Sequence, residues 1–430
     1  MTEPAPAPLH DAHRQALLDG VYPDMLACVR CGLCLTSCPT YLLTQHEAES
    51  PRGRIAMLRG VTEGRLAPTP DLLAHQDTCL VCDACSAVCP VGIHMDPLQV
   101  AARAALGPRR VGRRRRLAER VGLRLVLARP SVLRLVVRLL WLYQRLGMRR
   151  LARLIGPLRR ADALLPPLPS TFVAPRGERH APTPSATAAP VEVSFFAGCI
   201  MTTALAPIDR ATVRVLRRAG FAVTNTAGQG CCGALHAHAG DRDTALALAR
   251  RNIAAFEGDG AAPIVVNSAG CGAMLRHYPR LLRDEPAWAA RAVAFAARVR
   301  DLSVVLAGRP LAMRPLDATV TYQDACHLAH AQRISREPRT LLRAIPGVTL
   351  QEMPESALCC GSAGLYNLTH AATARDLGHR KLDNVRSTGA TVVVTGNPGC
   401  LLHLRALAAE RGDAVSVTHL AELLDEVTAP

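Results

Sequence analysis

Sixteen cysteines fall into two internal repeats, and none is left over. Cys28, Cys31, Cys34 and Cys38 recur 51 positions later as Cys79, Cys82, Cys85 and Cys89. Farther on, Cys199, Cys231, Cys232 and Cys271 recur as Cys326, Cys359, Cys360 and Cys400, displaced by 127 to 129. Duplicated thiol sets oblige the fold to bring each set together, a tighter constraint than any hydrophobic period in this chain.

With 430 residues the chain has room for two or three domains, each able to bury its own core. Met1–Arg14 is Pro-rich and polar, without the charged start and apolar centre of a signal peptide. The expectation is therefore a cytoplasmic chain whose thiols bind metal or do redox chemistry instead of forming disulfides.

The boundaries expected from the repeats are 1–107 for the first cysteine pair of motifs, 108–165 for an arginine-rich apolar stretch, 166–190 for a Pro-rich linker, and 191–310 and 311–430 for two similar halves. The fold class expected is multidomain α+β.

Both early motifs read C-x2-C-x2-C-x3-C-P, ending in Cys38-Pro39 and Cys89-Pro90. Three closely spaced thiolates wrap one face of a [4Fe–4S] cluster, and the fourth cysteine of each motif ligates the other cluster. The expected sets are Cys28, Cys31, Cys34 and Cys89 for one cluster, and Cys79, Cys82, Cys85 and Cys38 for the second. A structural zinc site would favour separated C-x2-C pairs. Between the motifs, Ser50 is placed to cap a helix and Pro51 to open it, with Ile55, Leu58 and Val61 at near-helical spacing. This predicts an α-helical ferredoxin domain.

In each later half an isolated cysteine is followed by Cys-Cys-Gly and then by a final cysteine. The segments Val191–Phe196, Ile264–Asn267, Thr319–Tyr322 and Thr391–Thr395 read as strands, each preceding a cysteine. Thr244–Ile253 and Ala371–Leu382 read as helices. Two pseudo-symmetric α/β subdomains are expected. Gly233 and Gly361 allow the chain to curl so that adjacent cysteines serve one centre. Cys199, Cys231, Cys232 and Cys271, and Cys326, Cys359, Cys360 and Cys400, are candidate ligands of a further cluster in each half. A thiol–disulfide site, zinc, or no metal are the alternatives. Gly228-x-Gly230-x-x-Gly233 matches a dinucleotide fingerprint, but Cys231 and Cys232 fill its variable positions and the second half lacks it. His327, His330 and His403 lie near cysteines, with His403 best spaced to share a site with Cys400.

Between Arg109 and Arg160 there are 17 arginines, no lysine and one acid, Glu119. This stretch carries the whole formal charge of +16, so the rest of the chain is balanced and no nucleic-acid partner is expected. Arg134, Arg138, Arg145 and Arg149 share one helical face. Leu135, Val136, Leu139, Leu140, Leu142 and Leu146, with Trp141 and Tyr143, occupy the remainder. No apolar run is long enough to span a bilayer. An in-plane helix on an anionic membrane is expected, at the inner face of the cell membrane, with a partner subunit as the alternative.

The order of these elements resembles the iron–sulfur subunit of bacterial glycolate oxidase (glycolate dehydrogenase). Cys28-Val-Arg-Cys-Gly-Leu-Cys, Pro51-Arg-Gly-Arg-Ile, Cys79-Leu-Val-Cys-Asp-Ala-Cys, both Cys-Cys-Gly sites, Ser268-Ala-Gly-Cys-Gly and Cys360-Gly-Ser-Ala-Gly-Leu-Tyr carry the likeness. It is similar, more distantly, to heterodisulfide reductase subunits and to the iron–sulfur subunits of lactate and glycerol-3-phosphate dehydrogenases. Fuller Cys-Cys-Gly domains of this kind end in C-x2-C, giving a fifth cysteine; here Met274 and His403 hold those places. The resemblance implies an electron-transfer subunit with no catalytic residue and no flavin site of its own. An FAD-containing partner would oxidise a 2-hydroxy acid, and a membrane quinone or similar acceptor would receive the electrons. Its runner-up is a heterodisulfide reductase-like enzyme working through its own thiols.

Overall fold

The computed structural model describes residues 12–110, 117–119, 121–149, 154, 162, 165–183 and 190–428, the side chains of 108–110 excepted. Much of the arginine-rich stretch, namely 111–116, 120, 150–153 and 155–161, lies outside the described residues, as do 1–11 at the start of the chain.

The first hundred described residues are helical. Ser50 Oγ accepts the Gly53 N–H at 2.9 Å and Pro51 sits in the first turn, so the helix Pro51–Thr62 begins where its cap and proline require. A side chain at Gly53 would put its Cβ 2.0 Å from the Glu47 carbonyl, which is why glycine stands there. Ile55, Leu58 and Val61 are buried and pack with Leu18, Met25, Leu73 and Leu98. The helix Met95–Arg110 lies across Ala12–Asp19 and Pro70–Asp77 to close this core.

Two sheets follow. The first contains β1 (Glu178–His180), β2 (Val191–Phe196), β3 (Phe221–Asn225), β4 (Ile264–Val266) and β5 (Val299–Asp301), in the order β1-β3-β2-β4-β5. All pairings are parallel except β1 against β3. The second contains β6 (Ala318–Gln323), β7 (Val348–Gln351), β8 (Val392–Thr395) and β9 (Ser416–His419), ordered β7-β6-β8-β9 and wholly parallel. Parallel neighbours need helical crossovers, and helices such as Ala206–Arg218 between β2 and β3 and Pro398–Arg411 between β8 and β9 supply them. Residues 178–180, inside the stretch read as linker, join the first sheet as an antiparallel edge. An edge strand pairs on one side only, so prolines at 175 and 182 can flank it.

The sheets place the later cysteines. Cys199, Cys231 and Cys271 follow β2, β3 and β4, which are neighbours; Cys326, Cys359 and Cys400 follow β6, β7 and β8 in the same way. Each quartet therefore gathers outside the carboxyl ends of three adjacent parallel strands, the position where open α/β sheets form crevices.

The two sheets share a core in which Val193, Phe195 and Val265 meet Tyr322, Val394 and Leu424. Across this seam His419, 1% exposed, donates from Nε2 to the Asn267 carbonyl at 2.9 Å and accepts the Ala421 N–H on Nδ1 at 3.1 Å. Only neutral imidazole can make both bonds. Burial lowers its pKa to about 4, against about 6.5 for a free histidine. The unfolded chain therefore takes up this proton first on acidification. His419 contributes stability above pH 6.5 that is lost as pH falls toward 4, on the order of 3 kcal/mol for the full shift. Chemical denaturation at stepped pH should show this loss, and His419→Gln should flatten the dependence between pH 6.5 and 4.

Candidate metal centres

Two cavities open between the N-terminal motifs. One, about 440 Å³ counting its open mouth, is lined by Cys28, Cys31, Cys34 and Cys89, with Cys85 in its wall. The other, about 330 Å³, is lined by Cys38, Cys79, Cys82 and Cys85. Each mixes thiols from both motifs, and Pro51, Cys85 and Met95 border both. Among the described residues no three His, Cys, Asp or Glu side chains converge on one metal-ion position; the thiols stand around voids. The loops curl through left-handed backbone at matching places: Arg30 and Gly32 in one motif, Val81 and Asp83 in the other, with φ of 57°, 86°, 53° and 59°. For β-branched Val81 this is strained, and such strain persists only where the surroundings enforce it. Burial pushes the Cys34 thiol up to about 11 and raises those of Cys79, Cys82 and Cys85. All sixteen cysteines are free thiols. Eight thiols around two voids, with Cys38, Cys79 and Cys82 buried, fit iron–sulfur clusters, which hold thiolates deprotonated where water would not.

Arg54 sits beside the second cavity, 1% exposed. Its guanidinium bonds Glu49 Oε2 (2.5 Å), the Glu49 carbonyl (2.6 Å), Thr40 Oγ1 (3.1 Å), the His75 carbonyl (2.9 Å) and Thr78 Oγ1 (2.8 Å), and lies 4.0 Å from Cys38 Sγ. Burial opposes its charge, but Cys79, Cys38 and Glu49 outweigh burial and raise its pKa. Of the described cations it acts most on the Cys79 thiol, ahead of Arg103, and it belongs to the Pro51-Arg-Gly-Arg-Ile run.

In the first quartet the thiols lie close enough to shift one another's ionisation, Cys199 with Cys231, Cys231 with Cys232, and Cys232 with Cys271. In the second, Cys326 acts so on Cys359, Cys359 on Cys360, and Cys360 on Cys400. Gly233 and Gly361 have φ of 89° and 93°, the left-handed turn that the adjacent cysteines need. The neighbouring glycines of the dinucleotide-like run serve this turn: the Gly230 N–H donates to Asn252 Oδ1, which leaves no phosphate loop. Bonds from Cys199 and then Cys232, with His236 adding to them, hold the Cys231 thiol well below its usual range. Bonds from Cys359 and Cys400, aided by His403, do the same for Cys360. Of the histidines singled out in the sequence, His327 and His330 bond the Val81 and Ala357 carbonyls, and His403 bonds the Ala374 carbonyl.

The sets adjoin one another. Cys82 packs in one cluster with Cys359 and Cys326, which brings the second cavity against the second quartet. Asn397 accepts the Gly270 N–H (3.1 Å) and donates to Cys400 Sγ (3.4 Å), so one side chain joins a thiol of the second quartet to the residue before Cys271. Cys199 packs in turn beneath Leu133 and Val137 of the helix Pro130–Arg145. A polar knot ties the parts together: Asp96 faces His238 (3.3 Å) and His277 (3.1 Å), and Arg103 donates to the Cys79 carbonyl (2.5 Å) and the His238 carbonyl (2.7 Å). Burial opposes ionisation of Asp96, yet the two histidines hold its carboxyl well below the usual range. Sequence reasoning missed Arg54, Asp96, His236 and Asn397. Arg54 lies in the Pro51-Arg-Gly-Arg-Ile run and Asn397 precedes Cys400 as Ser268 precedes Cys271, so these two had a positional signal.

Removing the buried cation should be costly in two ways. Arg54→Met strands the Glu49 carboxylate and should destabilise the N-terminal region by about 3–5 kcal/mol. It should also lower the midpoint potential of one N-terminal centre, because a nearby positive charge favours the reduced cluster. Denaturant unfolding and a potentiometric EPR titration measure these separately; an unshifted potential would remove Arg54 from this electrostatic role.

Comparison with known proteins agrees with this geometry. Residues 24–93 match a 4Fe-4S dicluster domain, 193–276 and 320–405 each match a cysteine-rich domain, and 114–167 match the linker region of the glycolate oxidase iron-sulfur subunit. The chain is 38% identical to the "Probable glycolate oxidase iron-sulfur subunit" of Bacillus subtilis (strain 168), covering 94% of each. It is 33% identical to the glycolate oxidase iron-sulfur subunit of Escherichia coli (strain K12), covering 93% of each. Lactate utilization protein A of Bacillus velezensis is 32% identical over 55% of this chain and 99% of its own. Cavities, quartets, linker and near-full-length identity coincide, and the chain belongs to the glycolate oxidase iron–sulfur subunit family.

Proposed function

We propose that this chain is the electron-transfer subunit of a glycolate (2-hydroxy acid) dehydrogenase complex, taking electrons from an FAD subunit and passing them to a membrane quinone or similar acceptor. The observation that carries this reading is the packing that joins the four thiol sets in series. Cys85 borders both cavities, Cys82 packs with Cys326 and Cys359, Asn397 spans Cys400 and Gly270 beside Cys271, and Cys199 lies under the helix Pro130–Arg145. Bound clusters would supply one-electron carriers at these sets. Cys28, Cys31, Cys34 and Cys89 would hold the first centre, and Cys79, Cys82, Cys85 and Cys38 the second. Cys199, Cys231, Cys232 and Cys271, and Cys326, Cys359, Cys360 and Cys400, would each hold one more. The chain's working units would be 1–107, 108–165, 166–190, 191–310 and 311–430.

The entry side is the first cavity, where Val29, Leu33 and Val91 are exposed around Cys31 and offer an apolar rim to a partner subunit. The exit side is the helix Pro130–Arg145. Leu133 and Val137 face the protein, whereas Leu135, Leu139, Leu142 and Leu146 form an exposed stripe at i, i+4, i+7 and i+11. Arg138 and Arg145 are exposed beside it; Arg149 instead pairs with Asp162 at 2.9 Å, beyond the helix end. Among the described residues no helix is long and apolar enough to cross a membrane. An in-plane seat on an anionic leaflet suits leucines flanked by arginines.

Thiol–disulfide chemistry is the second reading, favoured by the depressed Cys231 and Cys360 thiols. Their exposures of 2% and 1% oppose it, because a substrate disulfide needs an accessible attacking sulfur.

Cys231→Ser or Cys359→Ser should stop electron flow from the flavoprotein partner to quinone in the assembled complex, while wild type reduces no disulfide substrate. Rapid stoichiometric alkylation of Cys231 or Cys360 in cluster-replete protein, with loss of disulfide turnover, would favour the second reading. The membrane seat has its own test. Leu139→Glu with Leu142→Glu should release the protein from anionic vesicles, to which wild type binds less as salt rises, without changing its iron spectra. Undiminished vesicle binding by that variant would place the contact elsewhere.

A further inference from the structure

We infer that a histidine nitrogen completes each cysteine quartet as a ligand: His236 Nδ1 in the first and His403 Nδ1 in the second. This rests on the reading that each cysteine-rich repeat holds an iron–sulfur centre.

Both rings are buried, at 0% and 3% exposure. His236 Nε2 lies 3.1 Å from the Leu123 carbonyl, and His403 Nε2 lies 3.0 Å from the Ala374 carbonyl. A carbonyl only accepts, so each ring carries a proton on Nε2, and in the neutral ring the lone pair is then on Nδ1. His403 Nδ1 has no hydrogen-bond partner, and the one further group that the His236 ring meets is the Cys231 sulfur. Buried acceptors are rarely left unmatched, and each needs a physical account. A ring whose far N–H is anchored on a backbone carbonyl while its near nitrogen is bare is the arrangement that metal-ligating histidines adopt.

Position supports the same assignment. His236 stands one turn beyond Cys232, in the helix Ala234–His238, and faces the Cys231 sulfur, whose thiol it lowers by hydrogen bonding and then by charge. His403 stands one turn beyond Cys400 in the helix Pro398–Arg411 and acts on Cys360. The two places are not equivalent in the repeat. Gly364 occupies the counterpart of His236, and Met274 the counterpart of His403. Sequence duplication therefore did not put them there; each half reaches one inward-facing imidazole by its own route. Imidazole is neutral where a fifth thiolate would be anionic, so each centre would have a higher potential than an all-thiolate one.

The test uses the full-length protein, reconstituted anaerobically and labelled with 15N-histidine. Pulsed EPR of the reduced protein should show strongly coupled nitrogen that changes with the label. His236→Cys should abolish one coupling and His403→Cys the other, with iron retained and the midpoint potential of that centre lowered. His236→Gln keeps a donor for the Leu123 carbonyl and should lose the same coupling while retaining its circular dichroism. His330→Gln should change nothing. Iron well above the roughly eight atoms of the N-terminal pair, without any histidine coupling, would overturn the ligation and leave the cluster reading standing. Iron that stops at about eight atoms would overturn both.

Discussion

Placing thiolate sulfur where water is scarce is the constraint on which this structure depends. Burial favours the neutral thiol, and the raised values of Cys79, Cys82 and Cys85 express that cost before any metal is considered. The fold answers with positive charge and directed hydrogen bonds. Arg54 is committed to the wall of the second cavity by five oxygen partners, and Glu49, its counter-charge, is fixed in turn by His75 at 2.6 Å and by Thr78. Such a network is stable only when complete, so the residues around the cavity are held as one unit.

The sulfur pattern and the local elements around it were legible from the chain because they depend on short-range rules. A cap followed by proline starts a helix, as at Ser50-Pro51, and apolar runs before a cysteine make buried parallel strands, as at Val191–Phe196. The grouping of Cys231 with Cys199 and Cys271 followed from the repeat. What could not be read was long-range polar matching. Asp96 meets His238 and His277 across more than 140 positions, and nothing local marks an aspartate at the start of a helix as their anchor. Arg54 lay inside a run that was noticed, but its burial depends on carbonyls from His75 and Glu49. The antiparallel edge at Glu178–His180 was hidden because prolines surround it, and only its pairing with Asn225, Thr224 and Val223 identifies it as a strand.

Contact between the parts is made where the sulfur is. The second cavity and the second quartet share the packing of Cys82, Cys359 and Tyr366, and Asn397 joins Cys400 to the residue before Cys271. Interfaces of this sort fix the separation of centres by side-chain packing, which is stiff, and not by linkers, which are not. The linker segment contributes at one point only visible in three dimensions: the Leu123 carbonyl, in the wide helical turn Val121–Leu127, holds the ring of His236.

The mixed lining of the first two cavities has a consequence for the chain as a polymer. A cluster held by Cys28 and Cys89 would tie together residues about 60 positions apart, and one held by Cys38 and Cys79 would close a second loop inside the first. Each is then a covalent staple on a nested pair of loops, and a tie of that span removes chain entropy from the unfolded state equivalent to about 4 kcal/mol. Assembly order follows from the nesting. The inner loop is shorter and easier to close, and closing it draws the ends of the outer one together. Iron so held would be scaffold as well as carrier, and a chain that lost it would loosen from the exposed Cys31 rim inward.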